Sequence, residues 1–444
     1  MVTVITYGTF DLLHEGHIKL LERAKALGDY LIVGITSDTF DKERGKINVT
    51  QSLTERIAAV KATGLADKII VEEYEGQKID DIKRYNVDIF TVGSDWIGKF
   101  DYLQSFCKVV YLPRTKGISS SKIRSDDSKT KIGVIGSEKS AIKFISEAAY
   151  VNGAIISGAV GLSEEICLNQ NIPCFSNYEE LLEYSDAVYI VSQPKEHYKQ
   201  IKEALNKGKH VICQSPIALN YKEWKELKEL SKQKGLVLTD AIKTAYSTAY
   251  YHLLLMVKGN VIGDVVSIDA TSTSLGNANQ TNDSKDTNSW PSLCYWGVTD
   301  MLPVFQILGC DYKAIDFVTR YADKKEKLDL FTKADFIYDH AIATIKSGIG
   351  IKSEGDLVVS GTKGYIYVPA PWWKTDYFEI RYENPSDNRK VFYQLEGEGI
   401  RYEILSFVKS IRDHKDYSYI SDDVSKAIVK TVESYYAKKN VTSI

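Results

Sequence analysis

Tyr7-Gly8-Thr9-Phe10-Asp11-Leu12-Leu13-His14-Glu15-Gly16-His17 decides how the first part of this chain folds. Upstream of it, Val2 to Thr6 reads as a short buried strand rich in β-branched residues. Downstream, Ile18, Leu20, Leu21, Ala24 and Leu27 fall at helical spacing. A strand, a glycine-bearing turn and a helix start together make an anion-binding corner. Gly8 allows close backbone approach to a ligand, and N–H groups at the helix start face negative charge. His14 and His17 stand three apart, so one face of the first helical turn carries both.

Outward from this corner the pattern alternates between strand and helix, as expected of an α/β domain. Asp29 to Thr36 reads as the next strand, and Asp41 to Lys46 as a charged, glycine-containing loop over the site. Ser52 and Glu55 have capping-box spacing and open a helix that runs to about Gly64. Arg56 in its first turn opposes the helix dipole, which points to a bound anion in front of it. Lys68 to Glu72 and Asp88 to Val92 read as strands around a helix from Ile79 to Tyr85. The second of these strands runs into Gly93-Ser94-Asp95-Trp96, at the carboxyl end where parallel sheets bind ligands. Val109 to Leu112 is a last strand leading into Pro113-Arg114-Thr115-Lys116-Gly117-Ile118-Ser119-Ser120-Ser121-Lys122-Ile123. Arg114 there is a fixed charge suited to phosphates, and Ser119 and Ser120 open a helix.

Residues 1–126 resemble the glycerol-3-phosphate cytidylyltransferases of the HxGH nucleotidyltransferase superfamily. The resemblance rests on YGTFDLLHEGHIKLLERAKALGDYLIV, VGSDWIGKFDYL and VYLPRTKGISSSKI. It implies attack by a phosphate monoester on the α-phosphorus of CTP, with release of pyrophosphate. Carried over, it makes His14, His17, Lys46 and Arg114 catalytic. It assigns Gly8, Thr9, Phe10, Asp11, Arg56, Gly93, Asp95, Trp96, Thr115, Ile118, Ser119 and Ser120 to the nucleotide. Mg2+ is expected as the CTP complex, with no protein metal site. Arg44 stands where the family usually has a second lysine, and Ser-Ser-Ser varies the usual helix start. Glycerol 3-phosphate is the first acceptor the resemblance suggests, with a larger polyol or ketose phosphate as competitor. The CDP-activated product would feed capsule or teichoic-acid-like polymer synthesis. An adenylyltransferase and a CTP-binding regulator are the rival readings.

Residues 127–130 read as a polar linker, after which Lys131 to Gly136 begins a second strand–helix alternation. Residues 131–245 are expected to form a Rossmann-like dinucleotide-binding domain, and 246–444 an α+β domain with an open sheet ending in a helical stretch from Tyr402 to Lys438. The segments DAVYIVSQPKEHYKQIKEALNKGKHVICQSPIAL, WGVTDMLPVFQILG and GTKGYIYVPAPWW resemble the glucose–fructose oxidoreductase/inositol dehydrogenase family. Several working positions of that family differ. Glu138 takes the second glycine position of the dinucleotide turn, and Gln214-Ser215-Pro216 replaces Glu-Lys-Pro. Tyr295 and Thr299 stand where Asp and His are common, with Asp300 adjacent. The expectation is a degenerate domain serving as scaffold. The alternative is an NAD(P)H-dependent reductase whose rebuilt site uses Gly136, Ser192, Ser215, Pro216, Tyr295, Thr299 and Asp300, or Lys243.

Length and composition agree with several such domains: 444 residues, 44% of them hydrophobic. A net charge of -3 with mixed signs excludes a basic nucleic-acid footprint. Six cysteines without a CxxC pair suit a reduced, cytoplasmic protein, and no apolar run reaches membrane-spanning length. Both resemblances imply a homo-oligomer.

Overall fold

The computed structural model describes residues 2–43, 49, 51–74, 76–113, 129–136, 138–151, 153–275, 291–322, 328–393 and 397–444, without the side chains of 39, 42, 43, 95 and 138. The chain divides into two compact units, Met1–Ser128 and Lys129–Ile444.

In the first unit, β1 (Thr3–Gly8), β2 (Tyr30–Thr36), β3 (Lys68–Glu72), β4 (Ile89–Gly93) and β5 (Lys108–Leu112) form one parallel sheet in the order β3-β2-β1-β4-β5. Strands of this kind are buried on both faces, which is why they read as continuous apolar runs. Val4, Leu31, Val33 and Ile35 pack with Leu21 and Ala24 of helix α1 (Glu15–Lys25) on one side. Ile5, Tyr7, Ile32, Phe90 and Val92 pack with Ile82 of α4 (Gln77–Arg84) on the other. The strand order reverses at β1, whose neighbours are β2 and β4. The crevice between the carboxyl ends of β1 and β4 is therefore the topological switch point where open α/β sheets bind ligands. Gly8 and Gly93 end those two strands.

Helix α3 (Leu53–Ala62) begins with the capping box expected of Ser52 and Glu55, both reciprocal bonds being present. The expected loop from Asp41 to Lys46 differs over residues 41–43, while residues 44–46, Arg44 among them, lie outside the described residues. Asp38–Glu43 is a short helix, α2, begun by a Ser37 hydroxyl that accepts from Phe40 N–H. Asp41 has no exposed surface and is held by three elements, so it is no solvated loop charge.

The second unit has a parallel sheet of β6 (Thr130–Gly136), β7 (Ala154–Val160), β8 (Ala187–Val191), β9 (His210–Gln214) and β10 (Leu238–Ala241), in the order β10-β9-β8-β6-β7. Here the reversal falls at β6, between the carboxyl ends of β6 and β8. A mixed sheet follows, built from β11 (Val265–Ser274), β12 (Ala314–Tyr321), β13 (Asp329–Ile337), β14 (Ile342–Ile349), β15 (Leu357–Gly361), β16 (Gly364–Val368), β17 (Tyr377–Tyr382), β18 (Arg389–Phe392) and β19 (Val441–Ser443). Its described strands run β18-β17-β16-β15-β11-β14-β13-β12-β19. Helices Thr248–Lys258, Val298–Leu308 and Asp422–Tyr436 contribute to its apolar core. The expected final helical stretch is two helices, Ile400–Asp413 and Asp422–Tyr436. His414 turns left-handed to end the first, and Ser421 caps the second. Among the described residues no helix is long and apolar enough to cross a membrane.

Candidate active site

The turn after β1 is tight and strained. Phe10 and Leu12 both adopt positive φ, 53° and 47°, in a region that costs a side-chain-bearing residue energy. The Phe10 ring folds back under the turn, where a Cβ on Gly8 would lie 3.0 Å from it. With Phe10 buried to 2% exposure, its ring serves the core and only its backbone is placed to meet a nucleotide.

His14 is the N-cap of α1, and its Nδ1 accepts a hydrogen bond from Gly16 N–H at 3.1 Å. That bond assigns the proton of the neutral ring to Nε2, leaving Nε2–H as a donor. Burial lowers the His14 pKa, so the ring is neutral at physiological pH. His17 stacks on it at 3.9 Å between ring centroids and 18° between planes, braced by the edge of Phe10 at 5.5 Å. Two imidazoles at three-residue helical spacing thus become one rigid, parallel pair at the switch point.

Arg56 does not stand free before an anion. Its side chain is fully buried, and its guanidinium donates to the carbonyls of Thr9, Thr36 and Gln51 and to the carboxylates of Asp38 and Asp41. The planar fork of Arg suits this task, since it can serve several acceptors at once. Asp41 also accepts from Thr9 Oγ1 at 3.0 Å and from Thr36 Oγ1 at 2.7 Å. Asp11 accepts from Gln51 N–H, and Gln51 Oε1 accepts from Leu12 N–H. The cation opposing the helix dipole therefore knots the phosphate turn to β2, α2 and the start of α3.

Beyond the histidines, Gly93 and half-buried Trp96 lie at the carboxyl end of β4, with Lys99 Nζ 5.4 Å from the Trp96 ring centre. Lys46, Arg114, Thr115, Ile118, Ser119 and Ser120 lie outside the described residues, as does the side chain of Asp95. Sequence reasoning missed a polar group on the same sheet edge. Lys78 and Glu72, both nearly fully buried, form an ion pair, and Lys78 Nζ sits 4.8 Å from the Tyr7 ring centre. Asp81 accepts from the Tyr7 hydroxyl and from Gln77. The one available signal was Gln77 and Asp81 at i,i+4 on a short helix directly after a strand.

In the second unit, Gly136 ends β6 at φ 128°, and a Cβ there would collide with the backbone of Val191 and Ser192. Gly136 therefore packs directly on the end of β8 at the switch point, the close backbone approach that a glycine of a dinucleotide-binding turn provides. The chemistry-bearing side chains fit less well. Ser215 is buried and its hydroxyl donates to Asp240, whose other oxygen accepts from Ser425, which in turn accepts from Trp224 Nε1. It is turned into the fold and presents no proton to a cleft. Ser192 bonds to Gln200, and His197, buried and unforeseen from sequence, bridges the carbonyls of Ser192 and Pro216 at 2.8 Å each. Half-buried Tyr295 packs edge-on against Trp296, while burial, then the charge of Glu398, raises its pKa. Thr299 is half-buried on helix Val298–Leu308.

Asp300 corrects an expectation. It is wholly buried against the mixed sheet, accepting from Ser272 at 2.5 Å and Ser347 at 2.7 Å, because its helix face packs on β11 and β14. Burial pushes its pKa up to about 7, and likewise that of buried Glu403 to about 8. Both groups stay protonated in the fold above the pH at which the unfolded chain releases those protons. The contribution of these two groups to the stability of this unit should therefore fall as pH rises from about 4 to 8, by roughly 4 kcal/mol for Asp300 alone. Denaturant unfolding at pH 5 and pH 8 checks this: Asp300→Asn and Glu403→Gln should each flatten the slope.

Comparison with known proteins agrees with this division. Residues 5–126 match the family model described as cytidylyltransferase-like, and residues 130–241 match the oxidoreductase family, NAD-binding Rossmann fold. The chain is 52% identical over 126 residues to the glycerol-3-phosphate cytidylyltransferase of Bacillus subtilis, covering 28% of this chain and 97% of that one. The corresponding Staphylococcus aureus protein is 45% identical over 126 residues, 28% of this chain and 95% of that one. Among solved structures, a 3-ketoreductase from Actinomadura kijaniata with NADP matches at a TM-score of 0.64 and 16% identity, covering 71% of this chain and 99% of that one. A UDP-N-acetylglucosamine 3-dehydrogenase from Acidithiobacillus ferrooxidans matches at 0.57 and 15%, covering 70% and 98%. At such identities the structural likeness speaks for fold. Through residues 1–126 the chain belongs to the cytidylyltransferase family, and it joins that nucleotidyltransferase domain to one of the NAD-binding Rossmann oxidoreductase family.

Proposed function

We propose that the first unit transfers CMP from Mg-CTP to a phosphate monoester, glycerol 3-phosphate or a related polyol or sugar phosphate. The stacked His14–His17 pair at the β1/β4 switch point carries this reading. An acceptor phosphate oxygen forms a new bond to the α-phosphorus. The bond from that phosphorus to the α,β-bridging oxygen breaks, and its electron pair leaves on pyrophosphate. The acceptor is already an anion, so no strong base is needed, and catalysis consists of alignment and charge stabilisation. His14 Nε2–H and His17 donate to α- and β-phosphate oxygens. Lys46 and Arg114 carry the charge of the acceptor and the leaving pyrophosphate. The Gly8–Asp11 turn lines the phosphates, Gly93, Asp95 and Trp96 meet the nucleoside, and Thr115, Ile118, Ser119 and Ser120 complete the anion site. Arg56 acts by holding the turn. The CDP-activated product suits assembly of a capsule or teichoic-acid-like polymer, and the protein works as a homo-oligomer.

The second unit is proposed as a scaffold, supported by the inward-turned Ser215. The close approach of Gly136 to the end of β8 favours a second reading, in which NAD(P)H held at this turn would supply hydride to a ketose phosphate or its CDP ester. A panel of glycerol 3-phosphate, ribitol 5-phosphate, fructose 6-phosphate and sorbitol 6-phosphate, each with and without NADH or NADPH, separates the two. Turnover of glycerol 3-phosphate with no nicotinamide oxidation is the expected result. Preference for fructose 6-phosphate with NAD(P)H consumed would make the second unit a reductase.

A further inference from the structure

Gly397, Glu398 and Gly399 are three consecutive left-handed residues, at φ 62°, 52° and 88°. Gly399 is required, since a Cβ there would strike the carbonyl of Lys243, whereas one at 397 would displace the carboxylate of Glu147. Glu398 tolerates a conformation unfavourable for its type, and such strain persists where surrounding structure dictates it. Its carboxylate is aimed at three lysines: it pairs with Lys243, with Lys143 at 3.1 Å and with Lys374 at 3.4 Å. These come from distant segments: helix Glu138–Ala148, the turn Lys243–Tyr246 after β10, and the turn Trp372–Lys374 after β16.

Among the described residues the charges do not cancel. Burial works against ionisation of Glu398, yet its lysine pairs bring its pKa down to about 2, so it carries one full negative charge. Glu403, within range of Lys243, has a pKa of about 8 and is mainly protonated at neutral pH. The neighbouring Glu147 is already matched by Arg401 at 2.8 Å. Among the described residues one carboxylate thus faces three ammonium groups, on a strained backbone.

We propose that Lys143, Lys243 and Lys374 form a phosphoryl-binding site, in which Glu398 is an internal counter-anion that the ligand displaces. The ligand is a small phosphate ester, either a polyol or sugar phosphate or its nucleoside-diphosphate form. Lysines acting as point charges suit a doubly charged group with exchangeable oxygens. The site is set apart from a dinucleotide's pyrophosphate by its place in the chain, since Lys143 lies in the second turn of its helix and not at the strand end at Gly136. Only the ligand's identity rests on the function proposed above. Binding is measured without CTP, so an inactive transferase would not mimic its failure.

Calorimetric titration of the full chain with glycerol 3-phosphate, CDP-glycerol and NADPH tests the site. Glu398→Gln should tighten binding of one phosphate ester roughly fivefold or more, because a competing charge is gone. Lys374→Gln, a half-exposed position that leaves the fold intact, should abolish that binding event and spare the one in the first unit. Whether glycerol 3-phosphate or CDP-glycerol responds tells monoester from diphosphate. Unchanged or weaker binding in Glu398→Gln overturns the proposal and leaves a structural ion pair. A response confined to NADPH also overturns it, returning the lysines to the dinucleotide.

Discussion

His17→Ala should lower kcat roughly a hundredfold to a thousandfold while leaving CTP affinity within a few fold, because donors aimed at developing charge act mainly in the transition state. The ring lies where strand order and helix start both favour an anion, and it is locked there by stacking on His14 and by the Phe10 edge. His14→Ala should behave alike, with an added loss of helix stability of about 1 kcal/mol, since His14 is also the N-cap. Steady-state kinetics with separate determination of the CTP dissociation constant reads both quantities. A His17→Ala enzyme keeping more than about a tenth of wild-type kcat would remove the histidine from the chemistry.

Arg56→Met should cost the first unit about 3–5 kcal/mol, as removing one partner of a buried ion pair does. The loss is large because Asp41 is left buried and charged, and because the Thr9, Thr36 and Gln51 carbonyls lose their donor together. Arg56→Lys should recover only part, since one ammonium cannot reach acceptors on opposite sides of the guanidinium. Adding Asp41→Asn to Arg56→Met should cost less than the two single changes summed, because the orphaned charge is removed. Denaturant unfolding followed by far-ultraviolet circular dichroism measures the series. A loss below about 1 kcal/mol with impaired CTP binding would put Arg56 back in front of the anion.

The contrast between His14 and Arg56 shows what a sequence can and cannot express. Strands β1, β2 and β4 were legible because both their faces are apolar, and the α3 start because capping is a local event. The histidine pair was legible because its geometry follows from three-residue spacing within one helical turn. Buried polar groups were not. Asp41 meets Thr9 across 32 residues, Tyr7 meets Asp81 across 74, and Ser425 meets Asp240 across 185. In the linear chain such residues look like solvated charges, and only tertiary structure supplies the partners that make burial affordable. The same blindness misplaced Asp300, whose neighbour Thr299 is half-buried while Asp300 itself faces the sheet. In the second unit the replaced lysine position was visible as Ser215, but its inward hydrogen bonds were not.

Phosphorus NMR of the purified full chain incubated with Mg-CTP and glycerol 3-phosphate tests the central claim most directly. The account predicts stoichiometric loss of CTP and glycerol 3-phosphate, with coupled diphosphate resonances of CDP-glycerol and the single resonance of pyrophosphate. Intact CTP with no pyrophosphate across the whole acceptor panel would contradict it, and would leave the first unit a nucleotide-binding module without turnover.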